Sequence, residues 1–225
     1  MVPEYKNAKA YQIKVQELKQ RLKEFNLEDT LVLEVGSGGS KLTREILERK
    51  ARVINSDTQD FYQLGKGYLD VICDALKLPF SDDVFEAVTL FDVIEHIKDD
   101  KALAHEIKRV LKPRGYLFIL TPSNPWIYPS FKASSFLFEK RDDLIQRWGH
   151  VREGYNLDEL LELFDGLNPV DHATIFNGTN ALLYDLAYLK SHPFVKRILE
   201  SITCRLPNFL FKNLPGKEIF VAFQK

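Results

Sequence analysis

The sequence predicts an α/β protein with a doubly wound, Rossmann-like sandwich of three layers built on a mostly parallel sheet. Short apolar runs of strand length alternate with helical patterns through the first half of the chain. This alternation is typical of βαβ units, in which helices cover both faces of a parallel sheet. Their right-handed crossovers place a ligand at the carboxyl ends of the strands. A late apolar run is expected to add an antiparallel strand.

An amphipathic helix is predicted over residues 6–25, ahead of the sheet. Its apolar residues recur at spacings of three and four and form one stripe: Ala8, Tyr11, Val15, Leu18, Leu22 and Phe25. Lysines between them, including Lys14, are expected to face solvent. The stripe spans only about two and a half heptads, too few for a coiled coil. The helix therefore packs on its own domain or supports dimerisation.

Five apolar runs predict the strands of the sheet. They cover residues 31–35, 52–55, 68–72, 85–90 and 116–120. Helical patterns fill 41–50 and 99–112 between them. Lys112-Pro-Arg-Gly115 is expected to end the second helix, because proline cannot continue it and glycine suits the turn.

The alternation stops after residue 122. Residues 123–149 carry large aromatic side chains among prolines and serines, which form either a small core of their own or an apolar pocket or lid. The next helix has Asn156 or Asp158 as a plausible N-cap. The remaining predicted elements are a helix over 156–164, a strand over 170–176, helices over 179–204 with a break at His192-Pro193, and a strand over 216–223.

Composition and charge argue against several classes of protein. The 31 Lys and Arg residues balance 32 Asp and Glu, so no basic field attracts nucleic acid. No apolar run approaches the roughly 18–20 residues of a membrane span. The N-terminus lacks the apolar segment of a secretory signal, so a cytoplasmic protein is expected. Cys73 and Cys204 are expected to be reduced thiols, and no Cys/His pattern predicts a metal site.

The glycine-rich segment after the first strand is the clearest functional signal. Glycines at 36, 38 and 39 let the chain bend sharply and let a ligand approach the backbone. Lys41 stands where a dinucleotide fingerprint needs glycine, and the order Gly-Ser-Lys does not fit a P-loop. Glu34, two residues before the turn, favours a ligand with a positive portion.

Acidic residues stand at the carboxyl ends of four successive predicted strands. They are Glu34, Asp57, Asp74 and Asp92. Each alone could be a cap or a solvated turn residue, but together they lie where a nucleotide site belongs. Asp57, 19 residues after Gly38, suits the two hydroxyls of a ribose. Asp74 could accept a hydrogen bond from an exocyclic amine such as adenine N6.

At this point the chain resembles the class I S-adenosylmethionine-dependent methyltransferases, in particular small-molecule members of the type 11 kind. LEVGSGGSKLT is similar to their glycine-rich first motif, INSDTQDF to the ribose-binding turn, and CDALKLPFSDDVFEAV to the adenine-contacting turn. LFDVIEHIKD and LKPRGYLFILTPSNP resemble the fourth-strand motif and the turn that leads into the fifth strand. The resemblance runs from about 30 to 124 in the right order.

The resemblance implies S-adenosylmethionine as the cofactor, with S-adenosylhomocysteine as the product. Glu34 would lie near its amino-acid end, Asp57 would hold the ribose, and Asp92 would flank the methionine portion. The full implied set is Glu34, Gly36, Ser37, Gly38, Asp57, Thr58, Asp74, Ala75, Leu76 and Asp92. Two departures from the family pattern are Ser40, where a third glycine is common, and Arg114, at another common glycine position.

Two histidines are catalytic candidates. His96 follows the fourth strand and either removes a proton from the acceptor as a general base or packs against the cofactor site. His150 lies in Gly149–Tyr155, which resembles a weaker downstream element of small-molecule members. It either contacts the acceptor or makes a structural hydrogen bond in its loop.

The resemblance implies methyl transfer by in-line displacement to a small-molecule or lipid-like acceptor. The alternative is a methyltransferase-like partner that binds the cofactor without catalysis. A nicotinamide oxidoreductase is disfavoured by the glycine spacing, and nucleic acid is not an expected substrate. The acceptor itself and the oligomeric state are not predicted.

One methyltransferase domain is expected over 1–225. Its predicted parts are an N-terminal helix at 1–28, a cofactor-binding core at 29–122, and acceptor-side insertions or lids at 123–155 and 177–214. Residues 190–217 interleave apolar with basic side chains, namely Lys190, Lys196, Arg197, Arg205, Lys212 and Lys217. They form either a weak contact surface for an anionic membrane or a solvated helical flap.

Overall fold

The structure is a computed structural model that describes residues 9–38, 42–47, 50–59, 69–207 and 210–225. The strands within these ranges are β1 Leu31–Val35, β2 Arg52–Asp57, β3 Leu69–Ile72, β4 Phe85–Phe91, β5 Leu111–Pro122, β6 Asn168–Ile175 and β7 Glu218–Gln224. The α-helices are α1 Lys9–Leu22, α2 Leu42–Ile46, α3 Asp100–Val110, α4 Arg141–Trp148, α5 Leu157–Leu163, α6 Thr179–Leu186 and α7 Pro193–Thr203.

All the strands join one sheet in the order β3-β2-β1-β4-β5-β7-β6. The pairs among β1 to β5 are parallel. β7 is inserted between β5 and β6 and runs antiparallel to both. After β3 the chain returns past β1 and continues with β4 on the other side of it. Ligands bind such sheets at this reversal of strand order, at the carboxyl ends of β1 and β4. The predicted doubly wound fold with an antiparallel late strand is confirmed.

Two apolar cores cover the two faces of the sheet. Alternate residues of each strand face opposite sides, so neighbours such as Val32 and Leu33 enter different cores. One core includes α1, α2 and α6, and the other includes α3 and α5. The sheet is thus the middle layer of three.

The N-terminal helix ends at Leu22, three residues before its predicted end, and buries residues outside the predicted stripe. Its buried side chains are Ala10, Ile13, Lys14, Val15, Leu18 and Leu22. The expectation that Lys14 faces solvent is wrong, since its exposed fraction is only 4%. Ala10, Lys14 and Leu18 are spaced by four residues and therefore share one helix face.

The turn predicted before the fifth strand lies inside β5. The strand begins at Leu111, directly after α3, and its pairing with β4 shifts register between Phe85 and Ala87. Arg114 adopts a left-handed φ of +67°, which is the conformation expected for a glycine at this position. Its N–H donates to Lys225 O at 2.8 Å. Lys112-Pro-Arg-Gly115 is therefore an irregular strand segment.

The second half of the chain forms a connected aromatic core. Trp126 stacks on Tyr128 with ring centroids 4.9 Å apart, and Trp148 lies 5.6 Å from Trp126. Tyr188, after α6, contacts Tyr128 and Trp148 at 5.7 and 5.4 Å. Of the two readings of the 123–149 aromatics, this packing favours a core of their own.

A buried ion pair joins this aromatic core to the sheet. Lys217, just before β7, has no exposed surface and lies 2.9 Å from Asp185 of α6. Its ammonium group also donates to Ile127 O at 2.6 Å. The expectation that Lys217 contributes to a basic surface is therefore wrong, because its charge is neutralised inside the protein.

Local capping signals decide several helix boundaries. Asn156 is the N-cap of α5, and it forms a capping box in which its side chain accepts from Glu159 N–H and its own N–H donates to Glu159. The predicted break at His192-Pro193 separates α6 from α7, where His192 is the N-cap. Ala8, Ser40 and Tyr68, together with residues 41 and 48–49 of the helix predicted over 41–50, lie outside the described residues.

Candidate functional site

The glycine-rich loop is fixed to the end of β2. The N–H groups of Gly36 and Ser37 donate to Ser56 O at 2.8 and 3.1 Å. Gly36 has a φ of +67°, and a Cβ there would lie 2.7 Å from a methyl carbon of Val93. Glycine is required at 36 because the loop packs closely against the segment that follows β4.

Asp57 joins the glycine-rich loop to the end of β2. One carboxylate oxygen accepts from Gly38 N–H at 2.8 Å, and the other accepts from Thr58 N–H at 2.7 Å. Among the described residues, a Cβ added at Gly38 would meet only Gly36 O, at 4.0 Å. The structure therefore brings Gly38, Asp57 and Thr58 together around an accessible acidic group.

The Asp74 turn lies beside this group. Cys73 N–H donates to Asp57 O at 2.8 Å, which holds the end of β3 against the end of β2. One oxygen of Asp74 accepts from Leu76 N–H at 2.9 Å and so stabilises the turn through Ala75. Burial raises the pKa of Cys73, so its thiol stays protonated at neutral pH.

Glu34 is buried and points into the protein from β1. One of its oxygens accepts from Thr43 N–H, in the first turn of α2, at 3.3 Å. The carboxylate therefore positions the helix that follows the glycine-rich loop. This contact adds a structural role to the cofactor role that the resemblance implies.

Asp92, which follows β4, forms a buried charge network that the sequence did not predict. Its carboxylate is 2.7 Å from the ammonium nitrogen of Lys14, which is also 2.9 Å from Glu218. Burial alone would lower the pKa of Lys14, but the two carboxylates raise it above its ordinary value. Burial raises the pKa of Glu218 to about 7, against the opposing effect of Lys14. A sequence signal that could have revealed this network is the spacing of Lys14 by four residues from the apolar Ala10 and Leu18 on the same helix face.

The two catalytic candidates meet at the same edge of the sheet. The rings of His96 and His150 are 4.6 Å apart and nearly perpendicular. Burial and the neighbouring His96 lower the pKa of His150 to about 4. Glu95, in the turn after β4, is buried, and its carboxylate accepts from the Thr121 hydroxyl of β5 at 3.0 Å. Burial and then Asp92 raise the pKa of Glu95 to about 8.

Arg152 holds the His150 segment in place. Its guanidinium group is 2.6 Å from Asp100 and donates to Ile97 O at 3.1 Å. The hydroxyl of Tyr155 donates to the same Asp100 at 2.8 Å. These contacts dock the loop after α4 onto the turn after β4, which sequence spacing alone does not predict.

Comparison with known proteins identifies the core of the chain. Residues 33–119 match the family model described as a methyltransferase domain. A ubiquinone/menaquinone biosynthesis C-methyltransferase of Desulfotalea psychrophila is 33% identical over 122 residues, which cover 48% of each chain. A demethylmenaquinone methyltransferase of Corynebacterium urealyticum is 35% identical over 103 residues, or 44% of each chain. The chain spans about half the length of these curated relatives.

Solved structures share the whole architecture at low sequence identity. Geranyl diphosphate C-methyltransferase from Streptomyces coelicolor superposes with a TM-score of 0.62 at 11% identity, covering 95% of this chain and 81% of that one. An N-methyltransferase from Bradyrhizobium japonicum gives 0.59 at 13% identity, covering 98% and 90%. At these identities the likeness concerns the fold. The match of residues 33–119 to the methyltransferase-domain model, with the two curated relatives, confirms the resemblance of this chain to class I S-adenosylmethionine-dependent methyltransferases.

Proposed function

We propose that this chain transfers the methyl group of S-adenosylmethionine to a small-molecule or lipid-like acceptor. The observation that carries the proposal is the contact of Asp57 with Gly38 N–H at 2.8 Å, at the carboxyl edge of β1 and β2. An acid at this place in a doubly wound sheet binds ribose hydroxyls. Each carboxylate oxygen can accept more than one hydrogen bond, so the two backbone donors leave capacity for a ribose.

The residues of the edge fit this cofactor. No described side chain crowds Gly38, which suits the approach of a ligand to the backbone, and the 74–76 turn offers a carboxylate beside Asp57 for the adenine. Asp92 flanks the methionine portion in this proposal. The whole proposed binding set is Glu34, Gly36, Ser37, Gly38, Asp57, Thr58, Asp74, Ala75, Leu76 and Asp92.

Bound S-adenosylmethionine supplies the reactive methyl group. The task of the protein is to hold the acceptor in line with it, which contributes roughly 7–11 kcal/mol in favourable cases. His96 and His150 stand on the acceptor side of the edge in this proposal. His150 is neutral at pH 7, because its pKa is lowered to about 4, and it can accept a hydrogen bond from an acceptor hydroxyl.

Calorimetric titration with S-adenosylmethionine and S-adenosylhomocysteine tests the cofactor site. We expect micromolar binding by the wild type and a loss of at least about tenfold in Asp57→Ala, roughly the value of one charged hydrogen bond. Asp143→Ala, at an exposed position of α4, is the matched control and should bind like the wild type. No binding by the folded wild type refutes the proposal. Binding without turnover over an acceptor panel favours the non-catalytic alternative.

The acceptor class follows from the surface of α7. Four apolar side chains of α7 are exposed, namely Phe194, Val195, Ile198 and Ile202, and the exposed Leu210 follows the helix. With Lys217 buried, basic residues such as Arg197 and Arg205 remain beside them. An amphipathic, basic helix of this kind suits a lipid surface, and the two curated relatives are named for quinone methylation. We infer that this surface receives a lipid-like acceptor from an anionic membrane.

Liposome sedimentation tests the surface. Binding should rise with anionic lipid, fall with salt, and fall in a Phe194→Ser/Ile198→Ser variant. Val170→Ser, an exposed apolar position on β6, is the matched control. Indifference to lipid charge and salt would leave α7 as a solvated flap. Among the described residues, no helix has the length and apolar character needed to cross a membrane. The cytoplasmic location and the absence of a nucleic-acid partner stay predictions from the sequence.

A further inference from the structure

Three metal-ligating side chains converge where the turn after β4 meets the loop after α4. Glu95, His96 and His150 each offer one ligand atom, and these atoms lie within 4.8 Å of one another. The sequence separates them into two distant segments, which is why no metal pattern was visible in it. The cluster stands at the carboxyl edge of the sheet, next to Asp92.

Hydrogen bonds outside the cluster hold the turn of Glu95 and His96 against the loop of His150. Val151 N–H donates to Glu95 O at 3.0 Å, and Arg152 binds Ile97 O. The carboxylate of Glu95 is oriented by the Thr121 hydroxyl. Supporting hydrogen bonds of this kind orient the ligands of known metal sites.

The hydrogen bonds of the histidines leave lone pairs for a ligand. His96 Nδ1 lies 3.3 Å from Gly149 O. Because a carbonyl can only accept, this contact places the proton of a neutral His96 on Nδ1 and the lone pair on Nε2. His150 Nδ1 is buried with no hydrogen-bond partner among the described residues. A buried, unsatisfied nitrogen is unfavourable unless a ligand satisfies it.

We propose that Glu95, His96 and His150 form a binding site for a divalent transition-metal ion. Two imidazoles and one carboxylate suit Zn²⁺, Mn²⁺ or Fe²⁺ and leave coordination positions open for a ligand. Ligands about 2.0–2.2 Å from a common ion lie roughly 3–4 Å apart, so small side-chain rotations close the site. Both histidines are partly exposed, which gives an ion access.

Metal binding itself is independent of the proposed function, but the role of the metal ion rests on that function. The ion would stand at the same edge as the proposed cofactor residues, with open positions for an oxygen of the acceptor. A metal ion polarises a bound oxygen and lowers the pKa of a bound hydroxyl. The substrate class is then a hydroxyl-bearing acceptor, and the two histidines act as ligands instead of bases.

Metal titration of the untagged full chain tests the site. We expect the chelator-treated wild type to bind one Zn²⁺ in equilibrium dialysis and to give visible d–d absorption with Co²⁺. His150→Gln and His96→Gln should each weaken Zn²⁺ binding at least about tenfold, since loss of a supporting group alone costs about 10–100-fold. His172→Gln, at an exposed position of β6, should leave both readouts unchanged.

Two results would overturn the proposal: no stoichiometric Zn²⁺ in the folded wild type, or wild-type affinity in both cluster variants. Circular dichroism of each variant establishes that it is folded, and His96→Gln serves if His150→Gln does not fold. Calorimetry with S-adenosylmethionine on the same samples keeps the two proposals separate. Intact cofactor binding without metal binding removes the metal site alone, whereas metal binding without cofactor binding removes the proposed function alone.

Discussion

Lys14→Met removes a buried ammonium group that contacts two carboxylates. Methionine keeps most of the apolar stem, so the change acts mainly on charge. Asp92 and Glu218 lie 2.7 and 2.9 Å from the ammonium nitrogen. The side chain of Asp92 is 41% exposed and can be rehydrated, but that of Glu218 is 4% exposed and cannot. Glu218 must therefore take up a proton or remain as an unpaired buried charge.

The expected loss is about 3 kcal/mol of unfolding free energy. Removing one partner of a buried ion pair costs about 3–5 kcal/mol. We expect the lower end, because Glu218 already has its pKa raised to about 7 and becomes neutral readily. For a chain of this size the loss corresponds to a fall of roughly 6–12 °C in Tm. The deficit should shrink from pH 8 to pH 6, since a proton on Glu218 removes the buried charge.

Urea unfolding followed by tryptophan fluorescence measures the effect, with equal m-values as the check that only stability changed. Lys50→Met is the matched control. Its ion pair with Glu28 is 3.8 Å long, and both side chains are more than half exposed. Such surface pairs contribute about 0–1 kcal/mol. A loss in Lys14→Met below 1 kcal/mol, or equal to that in Lys50→Met, would refute the reasoning.

Three further predictions concern backbone geometry and pH. Gly154→Ala should cost about 3 kcal/mol in urea unfolding, because its Cβ would lie 1.9 Å from Pro122 O. Gly149→Ala, where a Cβ would meet no described atom within 4 Å, should cost only about 1 kcal/mol for its φ of +74°. Arg114→Gly should stabilise the folded state by about 0.5–1 kcal/mol and so raise Tm slightly, because it removes a non-glycine residue from the left-handed conformation. An unchanged or lower Tm would contradict this. The pKa of Glu218 is raised from 4.5 to about 7, so the folded state binds this proton more tightly than the unfolded chain does. The resulting stabilisation of the folded state is complete below pH 4.5 and is lost as the pH rises through 7. Glu218→Gln should therefore reduce the loss of stability between pH 6 and pH 8, measured by urea midpoints; an identical loss in the variant would count against it.

Local sequence signals predicted the strands and the order of the motifs. The run Leu31–Val35 followed by glycine, and the break at His192-Pro193, both appear where expected. Asn156 proved to be the N-cap because Glu159 completes a capping box three residues later. These features depend on a few neighbouring residues, so they can be read without knowledge of the tertiary structure.

Side chains whose environment comes from distant parts of the chain were predicted poorly. Lys14 meets Asp92 across 78 positions of sequence, and Lys217 meets Asp185 only after the second half of the chain has folded onto the sheet. A lysine in a helical pattern is ordinarily solvated, so its residue type gave no warning of burial. The contact of His96 with His150 has the same origin.

The fold class, the glycine-rich turn and the acids at the strand ends can all be predicted from the sequence. Apolar periodicity and turn chemistry are local, and parallel strands necessarily bring their carboxyl ends to one edge. Which charges are buried, and which side chains meet at that edge, depends on how the folded segments pack together. Those outcomes depend on desolvation and on hydrogen bonds between segments far apart in the chain, such as the docking of Arg152 onto Ile97 and Asp100.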